Sequence, residues 1–151
     1  MKLLNYTTTI SVDKTFSEIS NTLREAGAQG ILSEYDSSKN LSAISFRIQT
    51  AMGFISYRIP SRMDRIYKEI QKGQYHKIPK SQRTVEQAAR IGWRIIKDWI
   101  SAQMSLIQAD QVDMEQVFLP YMQVQDGKTT VYEFLKDNNY KHIGITYGAG
   151  T

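Results

Sequence analysis

The chain has 151 residues, 41% apolar and 23% charged, with nine tyrosines, five phenylalanines and two tryptophans; this composition excludes global disorder and suits a single domain, residues 1–151, with its own core. The absence of cysteine excludes a disulfide framework, a thiolate metal site and a cysteine nucleophile. The formal charge of +4 conceals a basic middle: residues 58–97 hold eleven Lys/Arg against three acids, a net +8, and the remainder carries −4.

That asymmetry favours a polyanion or a phosphate-bearing ligand as partner. No apolar run approaches the roughly 18 residues of a membrane helix. The opening segment lacks the apolar stretch and small-residue cleavage site of a signal peptide. The expectation is a cytoplasmic protein with no membrane partner.

Residues 4–12 are rich in Thr, Ile and Tyr and predict a first strand. Thr15-Phe16-Ser17-Glu18 has the form of a capping box. Phe16, Ile19, Leu23 and Ala26 follow at helical spacing, and Gly27 is placed to stop the helix. Residues 31–35 predict a second strand, and 36–40 a turn. Ile44, Phe46 and Ile48 alternate with Ser45, Arg47 and Gln49, as in a half-buried strand. Ile55, Tyr57 and Ile59 alternate in the same way until Pro60 ends the pairing. The N-terminal half therefore reads β-α-β-β-β, its last three strands an antiparallel meander.

A helix over about 62–72 follows, with Ser61 as cap, Gly73 as stop, and Met63, Ile66, Tyr67 and Ile70 inward. Residues 74–81 form a polar loop. The longest element spans about 85–108, roughly 36 Å at 1.5 Å per residue. Its polar stripe is narrow and its apolar arc broad, running from Ala88 through Trp93 and Trp99 to Ile107. An arc that wide implies burial on more than one side. It predicts a central core helix, and it also offers a surface for a homo-oligomer. Asp113 is placed to cap a short helix through Phe118, and Asp126-Gly127 marks a turn. Residues 130–136 predict a last helix with Val131, Phe134 and Leu135 inward. Residues 142–147 suggest a strand, and 148–151 a frayed end. The fold class is α+β: an antiparallel sheet, then a helical half built on the long helix.

The chemical motifs are mostly negative. His76 and His142 have no zinc-ligand spacing, and no cofactor or metal is expected. Gly127-Lys128-Thr129 resembles the end of a phosphate loop, but such a loop needs a glycine where Met122 stands. Asp110, Asp113 and Glu115 lie where acids offset a helix dipole. No pairing of nucleophile and base is visible, so a non-enzymatic protein is expected.

The positive charges are better organised. Arg62, Arg65 and Lys72 share one helical face, with Arg58 just before them. Arg83, Arg90, Arg94 and Lys97 share the polar stripe of the long helix. Guanidinium forks bind phosphate oxygens in pairs. Of Tyr57, Tyr67 and Tyr75, the first two fall at core positions. Tyr75, beside His76 in the basic loop, is the expected base-stacking ring. The candidate phosphate-binding set is thus Arg58, Arg62, Arg65, Lys72, Tyr75, His76, Arg83, Arg90, Arg94 and Lys97.

Tyr6-Thr7-Thr8-Thr9-Ile10, Ser45-Phe46-Arg47-Ile48, the block from Ala89 to Gln103 around Trp93-Arg94, and Val117-Phe118-Leu119-Pro120-Tyr121 together resemble a family of small proteins of phages and mobile elements. The resemblance spans nearly the whole chain. That family has no established activity, so it supplies no catalytic residues. It implies a viral or mobile-element setting, in which small basic proteins serve DNA transactions or blunt host defence. The leading expectation is a protein that binds single-stranded nucleic acid through residues 58–97. The alternatives are an oligomeric anti-defence protein that sequesters a nucleotide signal, and a protein–protein inhibitor of a host factor.

Overall fold

A computed structural model describes residues 1–141, 143–146 and 148. Its elements run α1 (Val12–Glu25), β1 (Gly30–Tyr35), β2 (Leu41–Thr50), β3 (Gly53–Pro60), α2 (Met63–Ile70), α3 (Val85–Gln108), α4 (Met114–Phe118) and α5 (Val131–Asp137). The fold is α+β: a three-stranded antiparallel sheet in the order β1-β2-β3, followed by helices.

The first expected strand is absent. Asn5 takes a left-handed conformation, φ 60°, which breaks any extended run through residues 4–12. The polar groups of this segment bind the helical half. Gln87 donates Nε2 to the carbonyls of Tyr6 (3.2 Å) and Thr8 (3.0 Å), and Asn5 donates to Asp98 (2.8 Å). With its carbonyls held by a buried amide, the segment lies against α3 despite its β-forming composition.

The start of α1 also differs from expectation. Ser11 is the cap, its hydroxyl accepting from the Lys14 amide at 3.1 Å, so Thr15 lies inside the helix, fully buried. At the other end Ala28 N–H donates to Leu23 (2.9 Å) and Gly27 N–H to Arg24 (3.0 Å), a Schellman closure that needs the left-handed φ of +101° at Gly27.

Register follows the alternation of the strands. Ile31 faces Phe46, which faces Tyr57, and Ile44 faces Ile59. This inner face packs on Ile19 and Leu23 of α1, Trp93 and Ile100 of α3, and Phe118 of α4. Trp93 is fully buried and donates its indole N–H to the Leu41 carbonyl at 3.0 Å. A second cluster of Ile70, Tyr75, Ile78, Ala88 and Ile91 joins α2 and the following loop to the first turns of α3. Most of the broad apolar arc of α3 enters these two clusters, while Leu106 stays exposed.

Ser61 does not cap α2. Its amide extends the sheet by donating to Ser42 at 2.9 Å, so its side chain turns to α3, and Arg62 takes the cap position without a side-chain bond. At Gly92 an added Cβ would lie 2.6 Å from Ile66 Cδ1 and 3.0 Å from Ser61 Oγ; glycine is what lets α3 approach so closely.

α4 begins with a capping box between Asp113 and Gln116. Residues after it return to the sheet: Met122 bridges Tyr57, and the Gln123 amide donates to Ser56 at 2.8 Å. Asp126 accepts from the amides of Lys128 (2.8 Å) and Thr129 (2.7 Å), so this segment closes on its own carboxylate as a turn. α5 has no fully buried residue, and Phe134 is exposed, unlike the inward position expected for it. Residues 143–146 take no strand conformation; His142, Tyr147 and residues 149–151 lie outside the described residues. Among the described residues no helix is long and apolar enough to cross a membrane.

Candidate functional site

The ten expected site residues fall into two groups. The first is occupied by the protein itself. Arg58 forks onto Glu34 on the outer face of the sheet, Nε to Oε2 at 2.8 Å and Nη2 to Oε1 at 3.2 Å. The hydrogen-bonded fork raises its pKa further above the ordinary arginine value. Arg83 donates to three backbone carbonyls: Nε to Ile78 (3.0 Å), Nη2 to Tyr75 (3.0 Å) and Nη1 to Gln71 (3.3 Å). It clamps the loop between α2 and α3. Arg94 is 14% exposed and pairs with Glu18 of α1, also donating to Thr15 Oγ1 at 3.3 Å. Arg90 donates Nε to Gln87 at 2.9 Å. The polar stripe of α3 is thus largely a joint with α1 and the N-terminal segment, because α1 packs along that side.

Tyr75 is the clearest correction. Its side chain is 0% exposed, so it cannot stack on a base. The hydroxyl donates to Glu69 Oε2 at 2.6 Å and accepts from the Leu3 amide at 3.1 Å, while the ring meets Tyr6 edge-on at 5.2 Å. The hydroxyl ties a helix and the chain start together, which explains a buried ring inside a polar loop. Glu69 also pairs with Lys72 at 2.7 Å. These two bonds, Lys72 first, hold the carboxyl below its ordinary value, and the pair raises Lys72.

The second group stays on the surface. Arg62, Arg65 and His76 are exposed, and their side chains bond to no partner among the described residues. Lys97 is half-buried, with Asp98 Oδ1 at 3.6 Å. Beside these stand cations the expected set omitted: Lys68 on α2, and Lys77 and Lys80 in the loop, all exposed. Arg65 and Lys68 are three positions apart on α2, whereas Lys72, expected on the same helical face, lies past the end of the helix with extended backbone, φ −71° and ψ 153°. Residues 62–80 carry six Lys/Arg and two acids, and Glu69, one of the two, is already engaged. Tyr67 is 39% exposed on the same helix, although its spacing placed it in the core. It lies beyond the edge of the buried arc of Met63, Ile66 and Ile70. The signal that would have found it is the wheel angle, about 40° or more from any of those three at 100° per residue.

A cavity of about 590 Å³ opens beside the start of α2. Pro60 and Arg62 bound it on one side, and Pro120, Tyr121, Tyr132 and Glu133 on the other. Glu133 Oε1 accepts from the buried Thr130 hydroxyl at 3.1 Å, which fixes the carboxylate. Among the described residues no group of His, Asp and Glu is placed to hold a metal ion.

No family model matches the chain, and no curated protein or solved structure is significantly similar to it.

Proposed function

We propose that the chain binds nucleic acid, most simply a single strand, through the cationic surface of α2 and the loop after it, with Arg62, Arg65, Lys68, His76, Lys77 and Lys80 facing the phosphates. One observation carries this reading. Basic side chains without an internal partner concentrate in residues 62–80, while Arg58, Arg83 and Arg94 are consumed by the fold. Exposed cations on one rigid helix and the short loop behind it form a directional surface, and phosphate neutralisation is the chemistry they perform best. Tyr67 is the ring available for stacking, in place of Tyr75. Such a protein fits the phage or mobile-element setting that the sequence resemblance implies.

The test is fluorescence anisotropy with a labelled single-stranded oligonucleotide over a range of salt. Log affinity is expected to fall linearly with log salt, by about 0.7 per neutralised phosphate. A flat salt response, or no binding at low salt, contradicts the reading.

A further inference from the structure

The cavity beside α2 shares Arg62 with the phosphate surface and adds side chains that lie outside it. It is of a size typical of small-molecule sites, about 300–1,000 Å³, at about 590 Å³. The apolar and aromatic part of its lining is Pro60, Pro120, Tyr121 and Tyr132. Tyr121 is held in place against Trp99, the rings tilted at 57° with centroids 5.4 Å apart. Tyr132 is 47% exposed, and Lys136 Nζ stands over one face of its ring, 5.9 Å from the centroid, so stacking uses the other face. The polar lining is Ser42, Arg58, Ser61, Arg62, Thr130 and Glu133. Glu133 is an acceptor fixed by Thr130. Arg58 is held by Glu34, and the charge of Glu133 also favours its cation. That leaves Arg62 as the cation of the cavity whose side chain has no partner among the described residues. A ring face, an acceptor and one unengaged guanidinium match a ligand with a flat base, a few N–H or O–H donors and one phosphate.

We propose that this cavity binds a single nucleotide unit. Tyr132 stacks on the base, Glu133 accepts from a donor of the base or sugar, and Arg62 pairs with the phosphate; the proposal rests on the α2 reading only where that unit belongs to a strand. Arg62 is also the residue at the start of α2, so a phosphate held there leads directly to Arg65 and Lys68. The same chemistry therefore serves a free nucleoside monophosphate or one unpaired nucleotide of a strand laid along α2.

The experiment is calorimetric titration of the full chain with AMP, GMP, CMP and UMP, with adenosine and inorganic phosphate alongside, and with a twelve-residue oligo-dA. At least one monophosphate is expected to bind saturably, one per chain, and more tightly than adenosine or phosphate. Tyr132→Ala is expected to weaken it at least about fivefold, and Tyr132→Phe to keep it. Arg62→Gln is expected to abolish the preference for the nucleotide over its nucleoside. Tyr132 is half-exposed, and circular dichroism checks that the variants fold. A strand source is identified if oligo-dA binds more tightly than the monophosphates and Arg65→Ala/Lys68→Ala removes that gain. A free-nucleotide source is identified if oligo-dA has no such advantage. If Tyr132→Ala weakens the oligomer while the α2 variant does not, the α2 reading fails and the cavity stands. The cavity proposal is overturned if none of the four monophosphates binds, if phosphate binds as well as they do, or if Tyr132→Ala changes nothing.

Discussion

α2 and α3 carry the same kind of residue at the same kind of spacing, and the fold treats them differently. On α3, Arg94 meets Glu18 and Thr15 of α1, and Arg90 holds Gln87 against the N-terminal segment. At the cap of α2 and along it, the side chains of Arg62, Arg65 and Lys68 make no hydrogen bond or ion pair among the described residues. The cause is what lies alongside. α1 packs along α3, whereas α2 is covered only on the side of Met63, Ile66 and Ile70. A basic stripe is therefore a binding surface only where no neighbouring element claims it. The two tyrosines repeat the contrast, Tyr75 buried in the joint and Tyr67 partly exposed on α2.

The largest expected effect separates those rings. Tyr75→Ala empties a fully buried site and is expected to cost about 3–5 kcal/mol of stability in urea unfolding. Tyr67→Ala is expected to stay within about 0.5 kcal/mol and to weaken oligonucleotide binding. Equal stability losses would erase the distinction between joint and surface.

The core side of the comparison has an alkaline signature. Burial, and then the charge of Glu115, push the Tyr57 hydroxyl up to about 12. The raised value means that the folded state holds the proton longer than the unfolded one, whose tyrosine titrates near 10. Stability is then complete below about pH 10 and falls as pH rises from there to about 12. Ultraviolet titration is expected to show Tyr57 ionising late. Ionisation near pH 10 in the folded chain would contradict its place under the sheet.

A smaller effect tests the α3 joint. Arg94→Ala leaves Glu18 and Thr15 without their donor and is expected to destabilise the chain by about 1–3 kcal/mol. Arg65→Ala is expected to change stability by less than about 0.5 kcal/mol. Denaturant curves of the two variants side by side decide whether the two stripes differ in kind.

Parts of this contrast were legible in the residues. The alternation of Ile44, Phe46 and Ile48 and of Ile55, Tyr57 and Ile59 reports a half-buried meander, because a strand with one wet face must alternate. Gly27 and Asp113 mark helix ends because their local chemistry suffices to do so. What failed was whatever depends on distant partners. Residues 4–12 have strand composition, but Gln87, some 80 positions away, takes the backbone carbonyls. Arg83 has no local sign that three loop carbonyls converge on it. Tyr75 sits among polar neighbours, and only the Leu3 amide and Glu69 explain its burial. For the same reason the exposed cations Lys68, Lys77 and Lys80 were indistinguishable by type from the engaged ones.

The most direct measurement of the central claim is the salt dependence of oligonucleotide binding for the native chain and for Arg65→Ala/Lys68→Ala. The surface of α2 predicts a linear fall of log affinity with log salt, with a slope shallower by about 1.4 in the double variant, for two lost phosphate contacts. An unchanged slope in the double variant, or a native slope near zero, would contradict it.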